Sequence, residues 1–268
     1  MKEHKKRVFF AVEVRAPWPE HFPRGRLLET EDRHATLAFL GEISYKQLIH
    51  QLTTEFPAPP FKVGLVGTFS KCLFLPPRHP HVVAWDVQWL DDSKILNSYR
   101  QTFLNWLKQL NYHPKEHPGQ WLCHVTLCRK PFDANDWKKS FKPLPMSIHG
   151  FHLYESLGQS KYKPLWSYPL IPPFQEIEHT ADIAYLIHGE NLHQLHHHAQ
   201  AALAFRYPLL VNYMRSCPLG KLEDIIIDLN DVIAKADAEI GCPFKAISFH
   251  GNIEIRDSIL QWEMIVDV

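Results

Sequence analysis

His34-Ala35-Thr36-Leu37 and His124-Val125-Thr126-Leu127 are the two segments of this chain of 268 residues that point most directly to its architecture. Both carry the pattern H-x-T-L. Chance supplies on the order of 0.06 copies of such a tetrapeptide at this composition, so two copies form a constellation. In an extended strand, residues i and i+2 project from one face about 6 to 7 Å apart, so each segment offers an imidazole and a hydroxyl together. Ala35, Leu37, Val125 and Leu127 fall on the opposite face, where they can enter a core. Two such strands lying side by side in related lobes bring two imidazoles and two hydroxyls to one cleft.

A phosphodiester suits that set of groups. Its cleavage requires a base for the attacking oxygen and an acid for the leaving one, and an imidazole of pKa about 6.5 serves either purpose at neutral pH. His34 and His124 are therefore the candidate catalytic residues. Thr36 and Thr126 are placed to hold the non-bridging oxygens, and Arg129, with Lys130 beside it, adds positive charge toward the phosphate. Most of the 18 histidines are better read as hydrogen-bonded structural residues. The duplicated context sets these two apart.

Outward from the two motifs, Val8 to Val14, Ala35 to Leu40 and Leu122 to Leu127 read as strands. Between the last two, Ile95, Leu96, Tyr99, Phe103, Trp106, Leu107 and Leu110 recur at helical spacing within Asp92 to Leu110. A proline-rich stretch from Pro164 to Pro173 marks a boundary. Beyond it the spacing predicts a strand over Ile177 to Ile187, a helix capped by Asn191, a second helix carrying Leu222, Ile225, Ile226, Leu229 and Ile233, and a terminal strand with Leu260, Trp262, Met264, Val266 and Val268 on one face.

Charge divides at the same place. The chain is neutral overall, yet residues 1–172 hold 23 Lys+Arg against 15 Asp+Glu, and residues 173–268 hold 6 against 14. A net of +8 draws polyanions, whereas −8 repels them or attracts cations. Two domains with different partners are expected, 1–172 and 173–268. Five cysteines without a C-x-x-C pair suit buried thiols in a reducing compartment. No apolar run approaches a membrane span and no signal-peptide pattern opens the chain, so no membrane association and a cytoplasmic location are expected.

The first part resembles the two-histidine (2H) phosphoesterases, in particular the RNA 2',3'-cyclic phosphodiesterases also called 2'-5' RNA ligases. The resemblance rests on Arg7-Val-Phe-Phe-Ala-Val, His34-Ala-Thr-Leu-Ala-Phe-Leu-Gly41, His124-Val-Thr-Leu-Cys-Arg129 and Phe151-His-Leu-Tyr-Glu-Ser156. It implies an α+β fold, two-lobed and pseudo-symmetric with antiparallel sheets, and opening of 2',3'-cyclic phosphate to a 2'-phosphate with no metal or other cofactor. The partner would be RNA with a 2',3'-cyclic phosphate or a 2'-5' linked end. It also implies that His34 protonates the departing 3'-oxygen while His124 activates water, an order that sequence alone leaves open.

The acidic part resembles archease, a small protein that assists the 3'-phosphate RNA splicing ligase. His179-Thr180-Ala181-Asp182, Ala199-Gln-Ala-Ala-Leu-Ala-Phe205, Leu222-Glu-Asp-Ile-Ile-Ile-Asp228 and Ala246-Ile-Ser-Phe-His250 carry this likeness. It implies a small α+β domain, a Ca²⁺ or Mg²⁺ ion held by Asp182 and Asp267, and a splicing ligase as partner; the carboxylate of Val268 is chemically suited to add a further ligand. Hard cations do prefer carboxylate oxygen. A segment usual in that family is missing between Ala236 and Lys245. His193, His196, His197 and His198 are read as an exposed helix face rather than a metal tract. The competing reading makes the chain a non-catalytic RNA-end or nucleotide-binding adaptor for an RNA-repair ligase, in which the paired motifs only hold phosphate.

Overall fold

The computed structural model describes residues 5–90, 94–115, 121–180, 182–249 and 251–268. Asp92, Ala181 and His250, named above, lie outside them. The chain builds β1 (Lys5–Arg15), β2 (Arg26–Leu27), β3 (His34–Ser44), α1 (Tyr45–Glu55), β4 (Val66–Leu75), β5 (Val82–Trp89), α2 (Ile95–Gln109), β6 (His124–Arg129), α3 (Ala134–Ser140), β7 (Leu144–Gly158) and β8 (Lys161–Pro169). It continues with β9 (Phe174–Ile177), β10 (Ile183–Gly189), α4 (Leu192–Arg206), α5 (Leu222–Ile240), β11 (Ala246–Ile247), β12 (Glu254–Arg256) and β13 (Ile259–Asp267).

Alternation along β1 explains the first sheet. Val8, Phe10, Val12 and Val14 point into one buried core, while Phe9, Ala11 and Glu13 face the other way. On that outer face β1 sets Phe9 opposite Phe39 and Glu13 opposite His34 of β3, and Phe9 opposite Tyr154 of β7, all antiparallel. A second group of strands runs β6-β5-β4 and ends on the N-terminal half of β7, so the 15 residues of β7 serve both groups. On the other side the groups meet through one pairing between β3 and β6, Ala35 with Val125. The sheet thus closes on itself through β1, β3, β6, β5, β4 and β7.

Helices cover the apolar face. Leu96, Tyr99, Phe103, Leu104 and Leu107 of α2 are buried, with Phe103 set edge-on to Phe10 at 4.6 Å between ring centroids. Leu48 and Leu52 of α1 and Trp137 of α3 complete the packing. α3 starts at Asp133, whose carboxylate accepts from the backbone N–H groups of Asn135 (2.7 Å) and Asp136 (3.1 Å).

Residues 174–267 form a separate five-stranded antiparallel sheet, ordered β11-β13-β10-β9 with β12 beside β13, and its own core includes Ile187, Leu195, Leu229, Ile233, Trp262 and Met264. Two expectations require correction. The single strand over Ile177 to Ile187 is two strands, because the chain reverses between them and Ile177 pairs with Ala184. Of the histidines of α4, His193 is exposed as expected, but His196 and His198 are wholly buried and His197 nearly so. α4 is enclosed by β10 and β13 on one side and by β4 and β7 of the first sheet on another. Its polar side chains are satisfied inside, as buried polar groups must be. His196 pairs with Asp228, His197 with Ser216, and the His198 ring N–H donates to the His188 carbonyl. The Asn191 cap is present, its side chain accepting from Gln194 N at 2.9 Å.

The two sheets are also tied by hydrogen bonds. The Glu190 carboxylate accepts from the backbone N–H groups of Lys62 and Val63, and Lys62 Nζ donates to the Asp257 carbonyl at 3.3 Å. At this junction Gly64 approaches β7 so closely that a Cβ would overlap the Ile148 carbonyl oxygen. Gly64→Ala is therefore expected to destabilise the protein by roughly 1–3 kcal/mol. A urea midpoint equal to that of the parent chain would contradict this close approach.

Candidate active site

Ala35 and Val125 are directly opposed in antiparallel strands, so the register sets His34 opposite Thr126 and Thr36 opposite His124. Both strands repeat one burial pattern. Ala35, Leu37, Val125 and Leu127 are in the core, and the four polar residues are half-buried on the other face. The structure thus brings His34, Thr36, His124 and Thr126 together across one strand boundary.

Each imidazole is oriented by the same device. His34 Nδ1 lies 2.8 Å from the carbonyl oxygen of Asp32, and His124 Nδ1 lies 2.9 Å from that of Leu122. A carbonyl can only accept, so Nδ1 carries the proton in each ring and Nε2 of the neutral ring presents its lone pair. Both histidines are in this way prepared for proton transfer through Nε2.

Their surroundings differ. His34 sits among Phe9 (4.8 Å between centroids), Tyr154 (5.5 Å) and an edge-on Tyr162 (4.8 Å). Burial pushes its pKa down to about 4; the Asp32 carbonyl opposes the shift, and the charges of His124, Arg129 and His152 reinforce it. His34 is accordingly neutral at pH 7 in the free protein. The turn before it is held by the buried Asp32, whose carboxylate accepts from Tyr162 N at 2.9 Å and lies 3.1 Å from Lys161 Nζ. Arg129 belongs to the same corner. Its Nε donates to Ser160 Oγ at 3.0 Å, in the β7–β8 turn where Gln159 and Ser160 adopt φ of 51° and 63°.

Several residues of this face escape a motif-based reading. Glu13 stands opposite His34 and Asp86 opposite His124, so each histidine has an acid on the neighbouring strand. Glu13 is held at a pKa of about 2, first by hydrogen bonding to His152 and then, against the cost of burial, by Arg15. Asp86 accepts from Ser70 Oγ at 3.1 Å and lies 3.4 Å from Lys71 Nζ. The available signal is a lone acid within an apolar strand, as in VFFAVEV and VVAWDVQW. Tyr162 has no such signal, because it reaches His34 only through the β7–β8 hairpin.

Asp182, Asp267 and Val268 are not part of this cleft. They belong to the second sheet, where Ile183 pairs with Val266 and the next step of that register sets Asp182 opposite Asp267. A cation already attends these oxygens: Lys245 Nζ donates to the Val268 oxygen at 2.6 Å and lies 3.9 Å from Asp267 Oδ1. His179 Nδ1 is 3.8 Å from Asp182 Oδ2. No helix among the described residues is long and apolar enough to cross a membrane.

Among solved structures, the chain is similar to E. coli LigT complexed with 3'-AMP, at 22% identity and a TM-score of 0.45 over 62% of this chain and 99% of that one. It is also similar to a protein described as a phosphoesterase, at 21% identity and a TM-score of 0.45 over 63% of this chain and 99% of that one. A third is TT0787 of Thermus thermophilus, at 18% identity and a TM-score of 0.45 over 61% of this chain and 97% of that one. No protein-family profile and no curated protein matches the sequence.

The depressed pKa of His34 has a consequence for stability. The unfolded chain binds a proton at pKa about 6.5 that the folded state refuses until about 4, so stability is lost as pH falls through that interval. His149, pushed down to about 4 mainly by burial, acts in the same direction. Urea midpoints measured from pH 7 to pH 4 should fall, and less steeply in His34→Gln. Identical slopes in the two proteins would show that His34 is not shielded as described.

Proposed function

We propose that residues 5–169 form a metal-independent phosphoesterase that opens RNA 2',3'-cyclic phosphate ends to 2'-phosphates and, with a 5'-hydroxyl in place of water as the attacking oxygen, joins ends through a 2'-5' bond. The observation that carries this reading is the crossed pair of His and Thr residues at the Ala35–Val125 pairing, with both Nδ1 atoms pinned to carbonyls. A phosphate seated there meets two hydroxyls for its non-bridging oxygens and one imidazole for each proton transfer. Arg129 supplies positive charge, and the excess of basic residues in this part of the chain favours a polyanionic substrate.

In the hydrolytic direction, the base takes a proton from water as its oxygen attacks phosphorus, the bond from phosphorus to the 3'-oxygen breaks, and the acid protonates that oxygen. A neutral His34 suits the base and leaves the acid to His124, the reverse of the order that the sequence resemblance implies. His34→Ala and His124→Ala should each lower turnover of a cyclic-phosphate-ended RNA by about 10²- to 10⁴-fold. With a p-nitrophenyl phosphodiester, whose leaving group needs no proton, His124→Ala should regain most of its activity and His34→Ala should not. The opposite pattern reverses the roles. Binding without product in the parent protein would make the chain a nucleotide-binding adaptor instead.

For residues 174–267 we propose an archease-like accessory role that rests on the sequence resemblance, with a 3'-phosphate RNA splicing ligase as partner. Ca²⁺ or Mg²⁺ would be held by Asp182, Asp267 and Val268 in competition with the Lys245 ammonium. Calorimetry on the full chain should then show weak binding that strengthens in Lys245→Met and disappears in Asp182→Asn or Asp267→Asn. No heat in the Lys245→Met protein would leave Lys245 as the sole cation there.

A further inference from the structure

The chemistry proposed above makes no use of the buried histidines of α4, and one of them stands in a cluster of its own. His196 of α4, Cys217 in the loop before α5 and Asp228 of α5 bring a ring nitrogen, a thiol and a carboxylate oxygen within 4.8 Å of one another. It is the one such trio among the described residues. His196 is fully buried and Asp228 nearly so, while Cys217 is half-buried and gives the cluster its opening to solvent.

We infer that this cluster is a binding site for a zinc-class divalent ion, with His196, Cys217 and Asp228 as ligands and water in the fourth position. A thiolate and an imidazole select a borderline-soft ion over Ca²⁺ or Mg²⁺, and one carboxylate is common in such sites. Ligand bonds of about 2.0–2.3 Å set tetrahedral ligand atoms roughly 3.3–3.8 Å apart. His196 Nε2 and Asp228 Oδ2, now hydrogen-bonded at 2.8 Å, need only part slightly, and the thiol needs only to close inward. The carboxylate is already aimed. Its Oδ1 accepts from Arg215 Nε (2.8 Å) and pairs with Nη2 (2.6 Å), which leaves Oδ2 to face the cluster.

The loop that carries Cys217 is fixed from the other side. Gln200 Oε1 accepts from Arg215 N at 2.7 Å, and Gln200 Nε2 donates to the Arg215 carbonyl at 2.8 Å. On binding, the thiol releases one proton to solvent and the neutral His196 ring moves its proton from Nε2 to Nδ1, which requires the Gln200 amide nitrogen, now 2.9 Å from Nε2 and 3.1 Å from Nδ1, to draw back from the ring. Thiolate and carboxylate then balance the charge of the ion. The site would cross-link α4, α5 and the loop between them, and it is separate from the Asp182 and Asp267 pair.

Cobalt is the direct probe. The full chain, stripped with chelator, should take up one Co²⁺ with tetrahedral visible absorption and a thiolate-to-metal charge-transfer band. Cys217→Ser should abolish that band and weaken Zn²⁺ binding by more than the roughly 10–100-fold that loss of a group supporting a ligand costs, whereas Cys72→Ser and Cys242→Ser should retain both. A measurement without a variant complements it: Zn²⁺ should slow alkylation of Cys217 in the parent protein and leave Cys242 unaffected. No stoichiometric Co²⁺ uptake, a charge-transfer band that survives Cys217→Ser, or equal alkylation rates with and without Zn²⁺ would overturn the inference and leave the cluster as a hydrogen-bonded network.

Discussion

A single backbone pairing, Ala35 opposite Val125, joins β3 to β6 and so brings together the two strands that carry the polar site. Everything on the cleft face depends on its register. Because side chains alternate across a strand, a slip of one residue would turn His34, Thr36, His124 and Thr126 into the core and expose Ala35, Leu37, Val125 and Leu127. The buried face resists that slip, since those four residues are almost fully excluded from solvent. Packing on one face therefore fixes which side chains line the other.

The pairing is short, and its persistence depends on the strands around it. β1 is hydrogen-bonded to β3 over nearly its whole length and β5 to β6, while β7 holds both groups from the opposite side. This closed arrangement leaves the two histidines in equivalent backbone settings, each ring bound to the carbonyl two residues earlier and each facing an acid on the next strand. Equivalence ends at the side chains that cover them. Aromatic rings from β1, β7 and β8 enclose His34, and no such cage is formed on the His124 side among the described residues. One repeated strand motif is thereby placed in two different surroundings, one enclosed by aromatic rings and one not.

The second sheet meets the first through an unusual helix. From Leu195 to Ala204, α4 is buried on every side because it lies between its own sheet and the strands β4 and β7. Short side chains such as Ala201 and Ala204 suit close approach, while His196, His197, His198 and Gln200 each find a polar partner within the packed region. A buried polar set of this kind makes the contact specific, since any displacement would leave donors and acceptors unpaired.

Local sequence is enough to name the candidate groups, His34, Thr36, His124 and Thr126, and the faces on which they lie. Alternation at His34 to Leu37 and at His124 to Leu127 is local, the Asn191 cap is local, and the helical spacing in α2 and α5 is local, so each is legible without knowledge of the rest. The reversal between Ile177 and Ile183 was hidden because an apolar run reads alike whether it continues straight or folds back to pair with itself. Which distant element covers each residue depends instead on how the whole chain folds. Tyr162 lies 128 positions from His34 and sets its burial through a hairpin, and His196, His197 and His198 of α4 are interior because strands from another sheet close over them. Burial and pKa depend on the whole surroundings of a group, and one segment's periodicity describes only its own two faces.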